Sequence, residues 1–275
     1  MSRILTALVV LPILIASILV SWLQPLFVLL AAAALTLGLF EFYVLAKKRD
    51  LKPDAVVGYL AAAALFVVFY IVRPWQLLDM LFLLQAVLIV FIPAAMIAAT
   101  LRGAPFEKML ASTGATILGV LYVVFLGGHL VSLRTGFPQS LSADLLSFFF
   151  LVLMGADTGA FYAGKTLGKH KLAPTISPGK TWEGVIGGVV ASLVMATLAH
   201  YWFFRELPLK IALPLAAVMT VIGILGDLTE SALKRGSGAK DAAKLLPGHG
   251  GILDRLDSLL FNAPLIYYFG RLYFG

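Results

Sequence analysis

Apolar residues fill nine long runs of the chain, at residues 4–20, 26–46, 55–72, 77–100, 110–133, 143–164, 182–204, 211–226 and 256–273. Most approach the ~20 residues that an α-helix needs to cross the hydrocarbon core of a bilayer. Short polar stretches separate them. The pattern predicts an all-α fold, a polytopic transmembrane helix bundle of about nine spans. The first two runs are divided only by residues 21–25 and read equally as one bent hairpin. Run 4–20, with Arg3 before it, has the layout of a signal peptide. Its length, and the lack of a small-x-small cleavage site before the next run, predict a retained helix.

One stretch breaks the pattern. Residues 231–257, SALKRGSGAKDAAKLLPGHGGILDRLD, hold five basic residues, five glycines and one His between two apolar runs. Such a polar block is costly in a membrane protein unless it faces water and performs chemistry. Carboxylates, Lys and Arg, and glycine-rich backbone are what phosphate and a divalent cation require.

Composition sharpens this reading. Of 275 residues 61% are apolar and 13% charged, with a mean hydropathy of +0.98. Soluble domains average about 45–50% apolar and about 25% charged, so a soluble protein with a large core is excluded. Cysteine is absent. Disulfides, thiolate zinc sites and Cys nucleophiles are therefore excluded, and any metal must be held by oxygen or His.

Nine spans place 16 of the 21 basic residues on one side, Arg3 and Lys47 to Lys52 among them, and five on the other, namely Arg73, Arg134, Arg205, Lys210 and Arg271. By the positive-inside rule the N-terminus is cytoplasmic. The net charge of +7 is then mostly topology plus a surplus on one face, and a nucleic-acid partner is not expected. Seven of the 14 acidic residues, Asp157, Glu183, Asp227, Glu230, Asp241, Asp254 and Asp257, lie at or between the last four runs. Residues 1–140 therefore read as an N-terminal transmembrane scaffold. Residues 141–275 read as a catalytic region with cytoplasmic loops 165–181 and 227–255. No internal repeat is visible, so the inverted-repeat signature of many transporters is missing.

Asp227 and Glu230 are three residues apart, which puts both carboxylates on one helix face. Asp254 and Asp257 repeat the spacing at the start of the last run. Two such pairs can converge on one divalent cation; alternatively they form salt bridges with Lys234, Arg235 and Arg255. Asp157 sits among small residues inside the sixth run and needs a partner or a wet cavity. The turn 247–251 (PGHGG) lets backbone amides approach an anion. His249 in it reads equally as a general acid, a phosphate donor or a loop-fixing partner. Residues 159–166 (GAFYAGKT) match the P-loop pattern letter for letter, but a P-loop follows a β-strand, and here the pattern starts inside an apolar helix. Lys165 can still meet phosphate from a helix end. In the polar stretch that follows, Ser177-Pro178 reads as the start of the next helix, with Lys180 and Thr181 suited to an anion there or, for the lysines, to anionic lipid. Gly184 and Gly188 predict close helix packing.

The block 231–257 resembles the signature of the phosphatidate cytidylyltransferases (CDP-diacylglycerol synthases). The matching positions are Ser231, Leu233, Lys234, Arg235, Lys240, Asp241, Pro247, His249, Gly250, Gly251, Asp254, Arg255, Leu256 and Asp257. Residues 157–184 are similar to the family as well, through Lys165, Lys169, Leu172 to Pro174, Ser177, Pro178, Lys180 and Thr181. Gly179 departs from it, since some relatives carry a second basic residue there. The likeness implies that CTP and phosphatidate give CDP-diacylglycerol and pyrophosphate. It implies Mg²⁺ on Asp227, Asp254 and Asp257, with Asp157 close by, and a monovalent cation such as K⁺ beside it. Lys234, Arg235, Lys240 and Arg255 would neutralise CTP phosphates, with Asp241, His249, Gly250 and Gly251 in the same site. Lys165, Lys180 and Thr181 would hold the nucleotide or the lipid head. The likeness implies an integral protein of the cytoplasmic membrane with its site facing the cytoplasm. A homodimer is compatible, though no residue marks its interface. Two other functions share these features in part. A lipid-alcohol kinase of the polyprenol type would also use Mg²⁺, nucleotide and lipid. An ion-coupled transporter would use Asp157 and Asp227.

Overall fold

Every apolar run becomes a helical rod in the structure, a computed structural model that describes residues 3–71, 77–103, 106–238 and 251–275. The rods are α1 (Arg3–Leu19), α2 (Gln24–Lys47), α3 (Ala55–Ile71) and α4 (Leu77–Leu101). A composite follows, made of α5 (Phe106–Gly119), a π-helical segment (Val120–Phe125) and α6 (Leu126–Gly136). Then come α7 (Gln139–Leu167), α8 (Trp182–Trp202), α9 (Leu209–Gly236) and α10 (Leu253–Phe274). Among the described residues six rods are long and apolar enough to cross a membrane, and the chain is an integral membrane protein of predominantly α-helical fold. α1 and α3 are shorter apolar helices. α10 is long enough but carries Asp254, Arg255, Asp257 and Arg271, which lowers its hydropathy.

The described residues depart from helix in one β-hairpin, β1 (Lys171–Ala173) antiparallel to β2 (Ser177–Thr181), with Lys171 opposite Thr181. This corrects the expected helix start at Ser177-Pro178. A Ser-Pro pair suits a helix start and a short edge strand alike, because proline needs no N–H donor in either place. The cap of α8 is instead Thr181, whose backbone is extended and whose Oγ1 accepts from the Gly184 N–H at 3.1 Å. The base of the hairpin is tied to the first turn of α8, where Glu183 takes the His170 ring at 2.6 Å and the His170 N–H at 3.2 Å.

Polar contacts gather at the two ends of the bundle. At one end Arg102 pairs with Asp54 at 2.9 Å, Lys108 approaches Asp50 at 3.5 Å, and Arg49 donates to the Gly236 carbonyl. At the other end Arg134 is buried yet satisfied, by Gln139 at 2.6 Å, Ser17 O at 3.2 Å and Val20 O at 3.3 Å. Between these ends lies an apolar core to which α2, α3, the π segment, α6, α7, α9 and α10 all contribute, with Leu39, Phe69, Val123, Leu145, Phe149, Met219 and Ile266 buried.

The closest helix pairing, α7 with α8, rests on small residues. A Cβ on Gly187 would lie 2.2 Å from the Ala163 Cβ, and one on Gly159 would lie 2.7 Å from the Gly187 carbonyl. Gly184 and Gly188 face Ala160 and Ala156 of α7 in the same way. Lipid tails are as apolar as leucine, so close packing rather than hydrophobicity holds such pairs together. Gly187→Val should destabilise the protein by about 1–3 kcal/mol through overpacking, read as a lower thermal midpoint in detergent. An unchanged midpoint would show that α7 and α8 are not this close.

Candidate active site

α9 and α10 nearly touch where their carboxylates lie. A Cβ on Gly226 would sit 2.5 Å from the Asp257 carbonyl oxygen, and one on Gly223 would meet Ser258 and Asn262. Asn262 locks the pair by donating to Met219 O at 3.0 Å and Ser258 O at 2.9 Å. This contact brings Asp227 and Glu230 of α9 beside Asp257 of α10, with one oxygen of each within 4.8 Å of the others. At an effective dielectric of about 20, two unit charges at that separation repel by roughly 3 kcal/mol.

Two lysines answer the charge. Lys180, carried by β2, places its Nζ 2.7 Å from Asp227 Oδ2. Lys234, one turn beyond Glu230 on α9, lies 2.6 Å from Glu230 Oε2 and 2.7 Å from Asp254 Oδ1. Glu230 is completely buried, and its approach to Lys234 is an ion pair without hydrogen-bond geometry. Ser231 Oγ donates to Asp227 Oδ1 at 3.3 Å.

A cavity of about 640 Å³ opens beside them, within the ~300–1,000 Å³ range of small-molecule sites. Asp157, Lys165, Lys180, Thr181, Asp227, Asp254 and Asp257 line it together with Phe161, Leu172, Val185 and Ile224. Its wall therefore combines ionic and apolar residues.

The structure sorts the expected residues into groups. Asp227 and Asp257 meet, with Glu230 as the third carboxylate. Asp254 borders the cavity, but both its oxygens are engaged, Oδ1 by Lys234 and Oδ2 by the Gly251 N–H at 2.8 Å. Thus the second i,i+3 pair does not act as a pair. Asp254 belongs to the first turn of α10, where backbone N–H groups compete for its oxygens. The salt-bridge alternative accounts for Lys234. Arg235 donates instead to Ile176 O at 3.3 Å, reaching the turn of the hairpin. Lys165 stands over the Phe161 ring at 5.8 Å, and the P-loop look-alike around it is continuous helix. Arg255 is exposed on α10. Lys240, Asp241, His249 and Gly250 lie outside the described residues.

Two residues escaped the sequence reading. Glu41 of α2 is buried and binds the start of α10. Tyr122 comes from the π segment, a helix irregularity that is frequent at functional sites. Its hydroxyl is buried without a hydrogen-bond partner among the described residues and feels the charges of Asp257, Glu230 and Asp227. The single sequence signal for Glu41 was a lone acid near the end of an apolar run. Tyr122 gave none.

An all-oxygen trio, with Glu230 buried and no hydrogen bond to either of its carboxylate oxygens among the described residues, suits a hard cation such as Mg²⁺. Three comparisons bear on the chain. A model described as the cytidylyltransferase family matches residues 1–273. The chain is 47% identical over 131 residues to the phosphatidate cytidylyltransferase of Haemophilus influenzae, covering 46% of this chain and 45% of the relative. It is 49% identical over 118 residues to that of Bacillus subtilis, covering 43% and 44%. The aligned stretches thus span less than half the length of these curated relatives.

Removing Lys234 would leave buried Glu230 and half-buried Asp254 without their shared cation. Lys234→Met should destabilise the protein by roughly 3–5 kcal/mol. Adding Asp254→Asn should recover part of the loss, since one of the stranded charges disappears. Equal chemical-denaturation midpoints for wild type and Lys234→Met would contradict the shared ion pair.

Proposed function

The chain belongs to the cytidylyltransferase family, and we propose that it transfers the cytidylyl group of CTP to phosphatidate, giving CDP-diacylglycerol and pyrophosphate. The observation that carries this reading is the cavity itself. It joins four aspartates (Asp157, Asp227, Asp254 and Asp257) and two lysines (Lys165 and Lys180) to an apolar wall, as a site for one ionic and one lipidic substrate must.

In the reaction a phosphate oxygen of the lipid attacks the α-phosphorus of CTP. The bond from that phosphorus to the bridging oxygen breaks, and pyrophosphate leaves. No protein nucleophile is needed, in keeping with a chain that lacks cysteine. Two anions must meet, so the protein's work is charge neutralisation and in-line placement. Asp227 and Asp257, with Glu230 next to them, are the residues that would hold Mg²⁺. A bound Mg²⁺ supplies charge neutralisation at the phosphate oxygens; a monovalent cation such as K⁺ beside it is part of the same reading. Lys180 and Lys165 face the phosphates from the hairpin side and the α7 side. Lys234 is held by Glu230 and Asp254, which fixes its ammonium at the base of the block. Arg235, Arg255, Lys240, Asp241, His249, Gly250 and Gly251 complete the nucleotide end. Asp157 and Thr181 flank it. The apolar residues Phe161, Leu172, Val185 and Ile224 receive the lipid.

We further infer nine spans, with the N-terminus and the site on the cytoplasmic side of the cytoplasmic membrane. Residues 1–140 then form the scaffold and 141–275 the catalytic region. The partners are CTP and membrane-borne phosphatidate, without nucleic acid.

Asp227→Asn should lower turnover on the order of 100-fold or more, while the protein still inserts and purifies normally. The assay is release of pyrophosphate from CTP with phosphatidate in detergent, with and without Mg²⁺. Near-wild-type rates at saturating Mg²⁺ would remove Asp227 from the site, and release of a nucleoside diphosphate instead would favour a lipid kinase. Orientation is read separately. The cysteine-free chain accepts Lys48→Cys or Arg205→Cys, and an impermeant maleimide on intact cells should label only the second. The reverse pattern would invert the topology.

A further inference from the structure

The polar block that carries the chemistry is anchored from outside itself. α10 starts without a cap of its own, because the residue before it, Ile252, is apolar and already helical in its dihedral angles. The first N–H groups of any helix need acceptors from elsewhere. Asp254 takes the Gly251 N–H at 2.8 Å. The next two are taken by one distant side chain. Glu41 Oε1 accepts from the Ile252 N–H at 3.0 Å, and Glu41 Oε2 accepts from the Leu253 N–H at 2.7 Å. Glu41 stands on α2, 211 residues before Ile252, and both it and Leu253 are fully buried.

A carboxylate at such depth is costly unless it is hydrogen-bonded. Two charge-assisted bonds at the positive end of a helix dipole satisfy it. A local Ser or Asp at position 252 would have capped α10 without burying a charge. The cap that is present does something a local one cannot: it ties the start of α10 to α2. Gly38, one turn earlier on α2, brings the Leu253 and Leu256 side chains against the same face, at 3.9 and 3.4 Å from where its Cβ would be. Two turns later, Arg49 donates to the carbonyl of Gly236, the last residue of α9. α2 and the turn after it therefore grip the end of α9 and the beginning of α10, the two helices that present Asp227, Glu230, Asp254 and Asp257.

We propose that Glu41 is a positioning residue: by capping α10 from α2 it sets the place of Asp254 and Asp257 against the carboxylates of α9. The proposal rests on the site reading given above. Asp254 and Asp257 follow Leu253 by one and four residues, so a shift of the first turn moves both. A displacement of about 1 Å at a reacting site can cost on the order of 100-fold in rate.

The test uses the full chain in detergent, with Glu41→Ala and Glu41→Gln beside wild type. Two quantities are read: amide hydrogen exchange in the peptide spanning Ile252 to Asp257, and kcat and KM for CTP per folded molecule. In Glu41→Ala, exchange at the start of α10 should rise at least about tenfold while α3 and α8 keep their wild-type rates. kcat should fall by about 10–100-fold, with KM for CTP within about threefold. Glu41→Gln keeps one acceptor and the volume, and should lie between wild type and Ala. It also serves as the readable variant if Glu41→Ala does not fold. Unchanged exchange in the 252–257 peptide overturns the proposal, as does a rise spread evenly over every helix, or a wild-type kcat despite a freed α10. If wild type itself releases no pyrophosphate from CTP, the functional reading fails, while the exchange measurement still tests the cap.

Discussion

Holding several carboxylates together inside an apolar bundle is the constraint that organises the rest of this structure. Asp227, Glu230 and Asp257 crowd within 4.8 Å of one another, and Glu230 is fully buried. Each neighbouring feature reduces the penalty in a different way. Lys180 reaches in from a hairpin, Lys234 sits between Glu230 and Asp254, and Ser231 donates to Asp227. The two lysines in contact do not balance five nearby carboxylates once Asp157 and Asp254 are included. The divalent cation proposed for this site would offset the remainder.

Glycine determines how close the helices can bring these groups. On α9 the stripe Gly223 and Gly226 lets α10 approach until a side chain would strike the Asp257 backbone. On α8 the stripe Gly184, Gly187 and Gly188 does the same against α7, which also brings Asp157 to the cavity wall. In lipid such contacts rest on close packing, helped at α9–α10 by the Asn262 hydrogen bond to Met219 O. The stripes therefore fix the geometry of the site as much as its charged residues do. Where backbones are this close, a helix cannot slide without a collision, and the carboxylates inherit that rigidity.

Much of this was legible in the chain, and the reasons differ by element. The helices followed from run length, because a bilayer imposes a length that hydropathy records directly; the ends of α2, α3 and α4 fall within two residues of the apolar runs. The polar block was legible because charge is so costly between spans. Asp227 and Asp257 stood out for the same reason. The hairpin was not legible, since Ser177-Pro178 fits two local structures and only pairing with residues 171–173 decides between them. The partners of Asp254 were not legible, because helix spacing gives a face, not the competition for its oxygens by Lys234 and the Gly251 N–H. Glu41 and Tyr122 were invisible as site neighbours because their partners are more than 100 residues away, and no local pattern encodes such a contact.

The position of the cavity follows from the same economy. Ionic and apolar lining residues alternate along the same helices, Asp157 with Phe161 on α7 and Ile224 with Asp227 on α9, while Lys180 comes from the hairpin and Asp254 and Asp257 from the start of α10. A site built only at the loop level would meet a nucleotide but not acyl chains. One buried at the midplane would meet lipid but would strand its charges. Placing Asp227 and Asp257 within about the last three turns of α9 and the first two of α10 satisfies both demands. α9 then has to carry Asp227, Glu230 and Lys234 in its last turns, and α10 has to begin with Asp254 and Asp257. For the four carboxylates to keep their places the ends of these two helices must stay in register, and a third helix can add to the contact made at Gly223 and Gly226. The contacts of α2 with Gly236 and with Ile252 and Leu253 lie where that need arises.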